Sequence, residues 1–267
     1  MCYFIMDEEI LTFFEEVKVT QYRDGEEIGD GRSSQIIKAL DLSKEEETCI
    51  AIKRYKGKLQ KNVPNLAQEL KMQYLAVHPN VPTVIGYTNA PKAAIYMEYV
   101  DGETLENVLG KFKNIDPTRK MIMVGVLAAV LQRFHQKGLL HLDLRLENVI
   151  ISNWMPFVCD FGSAMEYPPQ KVQEIHQSIV PPEHTDSTLP SKAYDVYAFG
   201  ILASNILTER TGNLGCIENT TLRDLVARCM AEDPKARPSA DEIVAMIVPG
   251  NAFLERASPD AFCQALE

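Results

Sequence analysis

The sequence predicts an α+β chain in which a small β-rich lobe precedes a larger helical lobe. Three observations carry this. Short β-rich runs of branched and aromatic residues fill most of the first hundred positions. From Asp101 onward, apolar residues recur at helical spacing. The period changes at Tyr99–Gly102, a natural hinge. Strands first and helices later is the order of an α+β arrangement, not of an alternating parallel sheet.

Each element follows in turn. Ile28 ends an early strand, and Ile36–Leu42 and Thr48–Arg54 form a hairpin about the polar turn Ser43–Glu47. Val63–Val77 sets Leu66, Leu70, Tyr74 and Val77 at helical spacing, with Pro64 suited to a first helical turn. Val81–Tyr87 and Ala93–Tyr99 are two further strands. Thr104–Phe112, Asp116–Gln136, Ala193–Leu207, Leu222–Met230 and Ser239–Ile247 are the expected helices.

Composition narrows the function. The chain has 267 residues, room for one large or two small domains at about 150 residues each. Its formal charge is −10, and residues 1–50 hold 13 acidic against 5 basic side chains. That field has the wrong sign for charge-driven binding to nucleic acid or an anionic membrane surface. Apolar residues make up 46%, enough for a full core. The longest apolar run, Met121–Leu131, is far short of the roughly 20 residues of a membrane span. Met1–Glu9 lacks a basic leader region, and the six cysteines show no metal-binding spacing. Buried, reduced thiols and a cytoplasmic location are the expectation.

Three stretches carry chemistry. Ile28-Gly29-Asp30-Gly31-Arg32-Ser33-Ser34-Gln35-Ile36 is a turn between strands, where glycines allow the backbone to approach phosphate oxygens; with Ser34 at the third glycine position and no helix following, it is not a dinucleotide-binding turn. Ala51-Ile52-Lys53 puts a lysine inside an apolar strand, where it needs a carboxylate, and Glu69 on the next helix can supply one. The basic residues that follow, Arg54, Lys56, Lys58 and Lys61, read as a solvated stretch. Finally, His141-Leu142-Asp143-Leu144-Arg145-Leu146-Glu147-Asn148 is followed, twelve residues after Asn148, by Asp160-Phe161-Gly162. Asp143, Asn148 and Asp160 are oxygen donors of the kind that a hard Mg²⁺ ion and a hydroxyl nucleophile require.

With these elements in this order, residues of about 20–250 resemble the eukaryotic protein kinase family, of the serine/threonine or tyrosine-kinase-like type. Val180-Pro181-Pro182-Glu183 looks like the close of the activation segment, Asp195-Val196-Tyr197-Ala198-Phe199-Gly200 like the start of the central helix, and Arg237 like the arginine that pairs with Glu183. The resemblance implies a bilobal kinase fold, with a small lobe of about 20–98 and a large lobe of about 101–250. An N-terminal extension, 1–19, and a tail, 251–267, would flank it. It implies ATP and Mg²⁺ as cofactors and a protein as substrate. Lys53 would hold the phosphates and be held by Glu69; Asp143 would accept the substrate hydroxyl proton; Arg145 would offer charge to the γ-phosphate; Asn148 and Asp160 would bind metal. Ile28, Gly29 and Gly31 would line the nucleotide, Ile36, Ala51 and Ile150 would sandwich the base, Met97 would be the gatekeeper, and Glu98-Tyr99-Val100 would face the adenine.

Departures from the family pattern shape the functional expectation. Leu142 stands where many members carry an arginine that pairs with a phosphorylated activation segment, so activity independent of that phosphorylation is expected. His176 replaces a threonine that bonds the catalytic aspartate, and Gln73 occupies an apolar position where an amide must find a partner or face water. Arg237 follows Asp195 by only 42 positions, fewer than the family usually has, which predicts that the substrate-docking helix after the central one is shortened to Thr211–Thr221. The first reading is an active serine/threonine kinase, since the sequence lacks the tyrosine-kinase form of the catalytic loop. The alternative is a pseudokinase, a nucleotide-binding scaffold or allosteric module, motivated by Ser34, Gln73, Leu142 and His176. Small-molecule kinases share His-x-Asp loops, but the Glu183, Asp195 and Arg237 motifs favour a protein kinase.

Overall fold

The computed structural model describes residues 21–44, 48–57, 59–89, 92–171 and 175–247. The expected N-terminal extension and C-terminal tail lie outside the described residues. The chain divides into two compact units, one from residues up to 77 together with 82–101, the other from 78–81 together with residues from 102 onward.

The first unit is a five-stranded antiparallel sheet with one helix. Strands β1 (Tyr22–Asp30), β2 (Ser34–Asp41), β3 (Thr48–Tyr55), β4 (Val84–Thr88) and β5 (Ala94–Glu98) lie in the order β1-β2-β3-β5-β4. The β2–β3 hairpin pairs in continuous register from Ser34↔Tyr55 to Asp41↔Thr48. Helix α1 (Leu59–Leu75) starts four residues before the expected helix, so Pro64 falls in its second turn rather than its first. The expected strand at Val81–Tyr87 begins only at Val84, and residues 78–81 join the other unit instead: Asn80 Nδ2 donates to the Pro156 carbonyl at 3.0 Å.

The second unit is helical with small sheets. It contains β6 (Glu103–Thr104), α2 (Leu105–Lys111), α3 (Pro117–Gln136), β7 (Leu139–Leu140), β8 (Val149–Ser152), β9 (Met155–Val158), β10 (Met165–Glu166), α4 (Lys192–Thr208), α5 (Thr220–Cys229) and α6 (Ala240–Ile247). Caps set the helix starts. Thr104 Oγ1 accepts from Asn107 N–H, Asp116 from Arg119 N–H ahead of Pro117, and Asn219 from Leu222 N–H. Ser239 and Glu242 form a reciprocal capping box at α6. Helices α3 and α4 are buried along most of their length and form the core, with α5 and α6 packed against them. The short segment at 211–221 is a single turn of 3₁₀ helix, Leu214–Cys216, leading into α5.

No helix among the described residues is long and apolar enough to cross a membrane. Cys49, Cys159, Cys216 and Cys229 are thiols, but of these only Cys229 is buried. Apolar neighbours in sequence did not translate into burial for the other three. Burial pushes the Cys229 thiol up to about 12.

Candidate active site

Of the residues singled out in the sequence, Ile28, Gly29, Gly31, Ile36, Ala51, Lys53, Glu69, Met97, Glu98 and Val100 belong to the first unit. Asp143, Arg145, Asn148, Ile150 and Asp160 belong to the second.

Strand alternation decides what Lys53 does. On β3, Ile50 and Ile52 enter one layer with Ile37, Ala39 and Tyr96. Ala51 and Tyr55 enter the opposite layer, against Leu66 and Leu70 of α1. Lys53 shares that second layer at 6% exposure, and its Nζ lies 2.6 Å from Glu69 Oε1. Glu69 Oε2 accepts from the Tyr55 hydroxyl at 2.5 Å. A buried ion pair is tolerated only when its remaining lone pairs are satisfied, and Tyr55 meets that need. Sequence reasoning missed Tyr55, although its place two residues beyond Lys53 on the same strand face was a usable signal.

The same sheet gathers other candidates. Ile36 lies opposite Lys53, and Ala51 opposite Met97, in the strand register. Ile36 packs against the layer that holds Ala51 and Met97. Val100 is buried, Ile28 is exposed, and the exposed Glu98 accepts from Thr83 N–H at 3.2 Å.

In the turn, Gly31 N–H donates to the Ser34 carbonyl at 2.8 Å. A Cβ on Gly31 would stand 3.3 Å from that oxygen. The glycine therefore serves close approach, since neither Gly29 nor Gly31 has a positive φ. The basic stretch is not simply solvated. Arg54 makes a bidentate bridge to Asp24, at 3.0 and 3.1 Å, and Lys56 ties Asp30 and the Gly31 carbonyl.

Gln73 has found a partner instead of facing water. Buried on α1, its Nε2 donates to the Pro82 carbonyl at 2.8 Å.

In the second unit the loop after β7 is held from beneath by Asp195, a fully buried carboxylate in the first turn of α4. Its oxygens accept from His141 N–H at 2.9 Å and Leu142 N–H at 2.8 Å, and His135 Nε2 lies 3.3 Å away. Leu142 has φ 62 and is buried with Leu140, Met165 and Tyr194, with Ile175 packed against the group. Sequence reasoning placed Asp195 only as a helix start; an acid in the first turn of an otherwise apolar helix was the signal for more.

His141 lies between rings, 6.0 Å from Phe134 and 5.0 Å from Phe161, themselves 5.6 Å apart. Its Nδ1 accepts from Asp143 N–H at 3.3 Å, which puts the ring proton on Nε2. Burial holds this imidazole below its usual pKa, in the neutral form.

Asp143 is the centre of the loop. Asn148 Nδ2 donates to its carbonyl at 2.9 Å and to Oδ2 at 2.7 Å, and Arg145 Nε lies 3.2 Å from Oδ1. Burial lifts the Asp143 carboxyl above the usual carboxylate range; Arg145, His141 and Asn148 oppose the lift, and the nearby Asp160 adds to it. Asp160 is exposed at φ 64 and accepts from Gly162 N–H at 3.1 Å, while Phe161 is buried. Ile150 sits on β8, opposite Phe157. Among the described residues no group of three or more His, Cys, Asp or Glu is placed to hold a metal by itself.

Further along, Arg237 grips Glu183 with two bonds of 2.7 and 2.6 Å. His176 is turned onto its own segment: Nδ1 accepts from Ser178 N–H at 3.3 Å and caps the turn Gln177–Ile179. The imidazole at the position of the lost threonine hydroxyl thus caps its own segment.

Comparison with known proteins identifies the family. The protein kinase domain model matches residues 22–215. The chain is 27% identical over 219 residues to the dual specificity protein kinase pyk3 of Dictyostelium discoideum, covering 73% of this chain and 16% of that protein. It is 25% identical over 190 residues to aurora kinase A-A of Xenopus laevis, 68% of this chain and 46% of the relative. With mitogen-activated protein kinase kinase kinase 7 of Homo sapiens it shares 25% over 261 residues, 86% of this chain and 42% of the relative. The chain therefore spans less than half the length of these relatives.

Proposed function

Because this chain belongs to the protein kinase family, we propose that it transfers the γ-phosphoryl group of ATP to serine or threonine hydroxyls of protein substrates. We propose further that it does so without phosphorylation of its own activation segment. The observation that carries the reading is the Asp143 constellation: a carboxylate raised in basicity by burial, oriented by Asn148, and flanked by a cation, Arg145.

The donor chemistry fits a magnesium nucleotide. Asn148 spends its amide nitrogen on Asp143, which leaves its carbonyl oxygen as the metal donor, and Asp160 offers an exposed carboxylate. Two hard oxygen donors suit a Mg²⁺ ion that draws its other ligands from phosphate and water. When bound, the magnesium nucleotide supplies the activated phosphoryl group and neutralises charge on it.

The protein's own groups do the rest. Lys53, fixed by Glu69, offers its ammonium to the non-transferred phosphates. Asp143 Oδ1 or Oδ2 accepts the substrate hydroxyl proton, a task favoured by its raised pKa. Arg145 offers charge to the moving phosphoryl group.

Leu142 supports the regulatory part. A phosphate on the activation segment would need a cation at this position, and the residue here is a buried leucine. Apolar contact with Met165 and Ile175, both on that segment, supplies order of a different kind.

The test is radiolabelled transfer from MgATP to casein and histone, wild type beside Asp143→Ala, followed by phosphoamino-acid analysis. Label on serine or threonine with wild type only supports the reading. No transfer, with MgATP still raising the melting temperature, would favour the pseudokinase. Transfer abolished by prior phosphatase treatment would sink the claim of independence.

A further inference from the structure

Arg145 is the one cation of the loop, and its placement raises a physical question. Its Nε lies 3.2 Å from Asp143 Oδ1 but off the line of a hydrogen bond, and that nitrogen is shielded from water with no hydrogen-bond acceptor. An unmade donor at a buried position is unfavourable, so something else holds the guanidinium there. Glu147 does. Its Oε1 is 2.8 Å from Arg145 Nη1. The short turn Leu146–Asn148, which starts directly after Arg145, folds that carboxylate back onto the guanidinium. Glu147 is the more exposed of the two, 41% against 23% for the Arg145 side chain.

We infer that Glu147 is a positioning residue: it anchors Nη1 of Arg145 so that the guanidinium charge stays beside Asp143, where the γ-phosphoryl group would lie. The inference rests on the kinase reading, which puts that group next to Asp143. Glu147 acts through Arg145 and does not itself touch nucleotide. The planar guanidinium makes the device possible, because its fork meets Glu147 at Nη1 while Nε faces Asp143. A lysine's three donors share one nitrogen, so it cannot hold Glu147 and face Asp143 from two separate atoms.

MgATP and MgADP differ only in the γ-phosphoryl group, so the ratio of their dissociation constants isolates the effect. Titration calorimetry on the full chain would compare wild type, Glu147→Ala, Glu147→Gln, Arg145→Lys and the double variant Arg145→Lys/Glu147→Ala. Glu147→Ala is expected to weaken MgATP about five- to tenfold while leaving MgADP within about twofold, as befits one charge-assisted contact. Glu147→Gln, which keeps an acceptor but no charge, should fall between. The double variant should bind MgATP no more weakly than Arg145→Lys alone.

An unchanged ratio in Glu147→Ala overturns the inference. So does equal weakening of both nucleotides, the result of a merely structural role, or a full-sized Glu147→Ala effect in the Arg145→Lys background. Transfer to casein, measured alongside, judges the kinase reading separately. A wild type that shows the expected pattern yet transfers nothing favours the pseudokinase, with Glu147 still positioning Arg145 toward the bound nucleotide. A wild type that binds neither nucleotide overturns both.

Discussion

Glu69 is buried at 1% exposure, with one oxygen on Lys53 and the other on the Tyr55 hydroxyl. Removing the Tyr55 hydroxyl takes one bond from this buried carboxylate, at a cost of about 1–3 kcal/mol. Tyr55→Phe keeps the ring in its layer with Leu66 and Leu70, so loss of packing is small and the hydroxyl dominates. The expected outcome is a stability loss of about 1–3 kcal/mol in urea unfolding with an unchanged slope. MgATP binding should weaken as well, because Glu69 then holds Lys53 less firmly. A variant as stable as wild type would show that the Tyr55 bond contributes nothing net.

The loop after β7 shows how one helix sets the shape of a distant element. Asp195 on α4 satisfies two consecutive backbone N–H groups, those of His141 and Leu142, from more than fifty residues away in sequence. It holds Leu142 at a φ of 62, a conformation that costs a residue with a Cβ roughly 1–2 kcal/mol. Asp195→Ala would orphan both donors, and at about 1–3 kcal/mol each this should destabilise the fold more than any single contact of the loop. Hydrogen exchange should show it first at the His141 and Leu142 amides, and exchange rates like those of wild type there would contradict the argument. Leu142→Ala acts on the other side of the same element. It removes a buried side chain from contact with Met165, Tyr194 and Ile175, a change worth about 2–5 kcal/mol in tight cores. Limited proteolysis should then cut more readily between Ser163 and Ser178. These elements also mark how far the sequence could be read. The β2–β3 hairpin and Lys53 were legible because alternation is a local signal, and so was the motif from His141 to Asn148. The grip of Asp195 on Leu142 joins residues more than fifty positions apart, and the sequence marks only that an acid opens an apolar helix; Tyr55 stands at the right spacing on the Lys53 face, but its partner on the next helix is not a local signal. Strands β6, β7 and β10 are two residues each, too short for any period to show. The start of α1 was misjudged because Pro64 suits a first turn by local rules, while the helix runs from Leu59.

At the scale of the whole molecule, protons link the sites to stability. Two imidazoles of the second unit are held neutral: His141, by burial, and His78, which burial and then the Arg133 charge lower to about 4. Between pH 6.5 and about 4 the unfolded chain binds a proton at His78 that the folded chain refuses, so stability is lost as pH falls through that window. With the folded value at about 4, the loss is on the order of 3 kcal/mol by pH 4. His141 acts in the same direction. Asp143 opposes both, since its raised carboxyl takes up a proton more readily folded than unfolded, a gain that appears only as pH falls toward its folded value. Glu209 and Glu242, both lowered by hydrogen bonds from neighbours, lose their contribution at still lower pH. The histidines therefore govern the first loss on acidification. His78 Nδ1 accepts from Asn80 N–H at 3.0 Å, and asparagine can accept the same local bond from two residues on without titrating. His78→Asn should thus match wild type near pH 7.5 and flatten the fall in urea midpoint between pH 6.5 and 4.5. An equal slope in both proteins would place the acid sensitivity elsewhere, with His141 as the next group to replace.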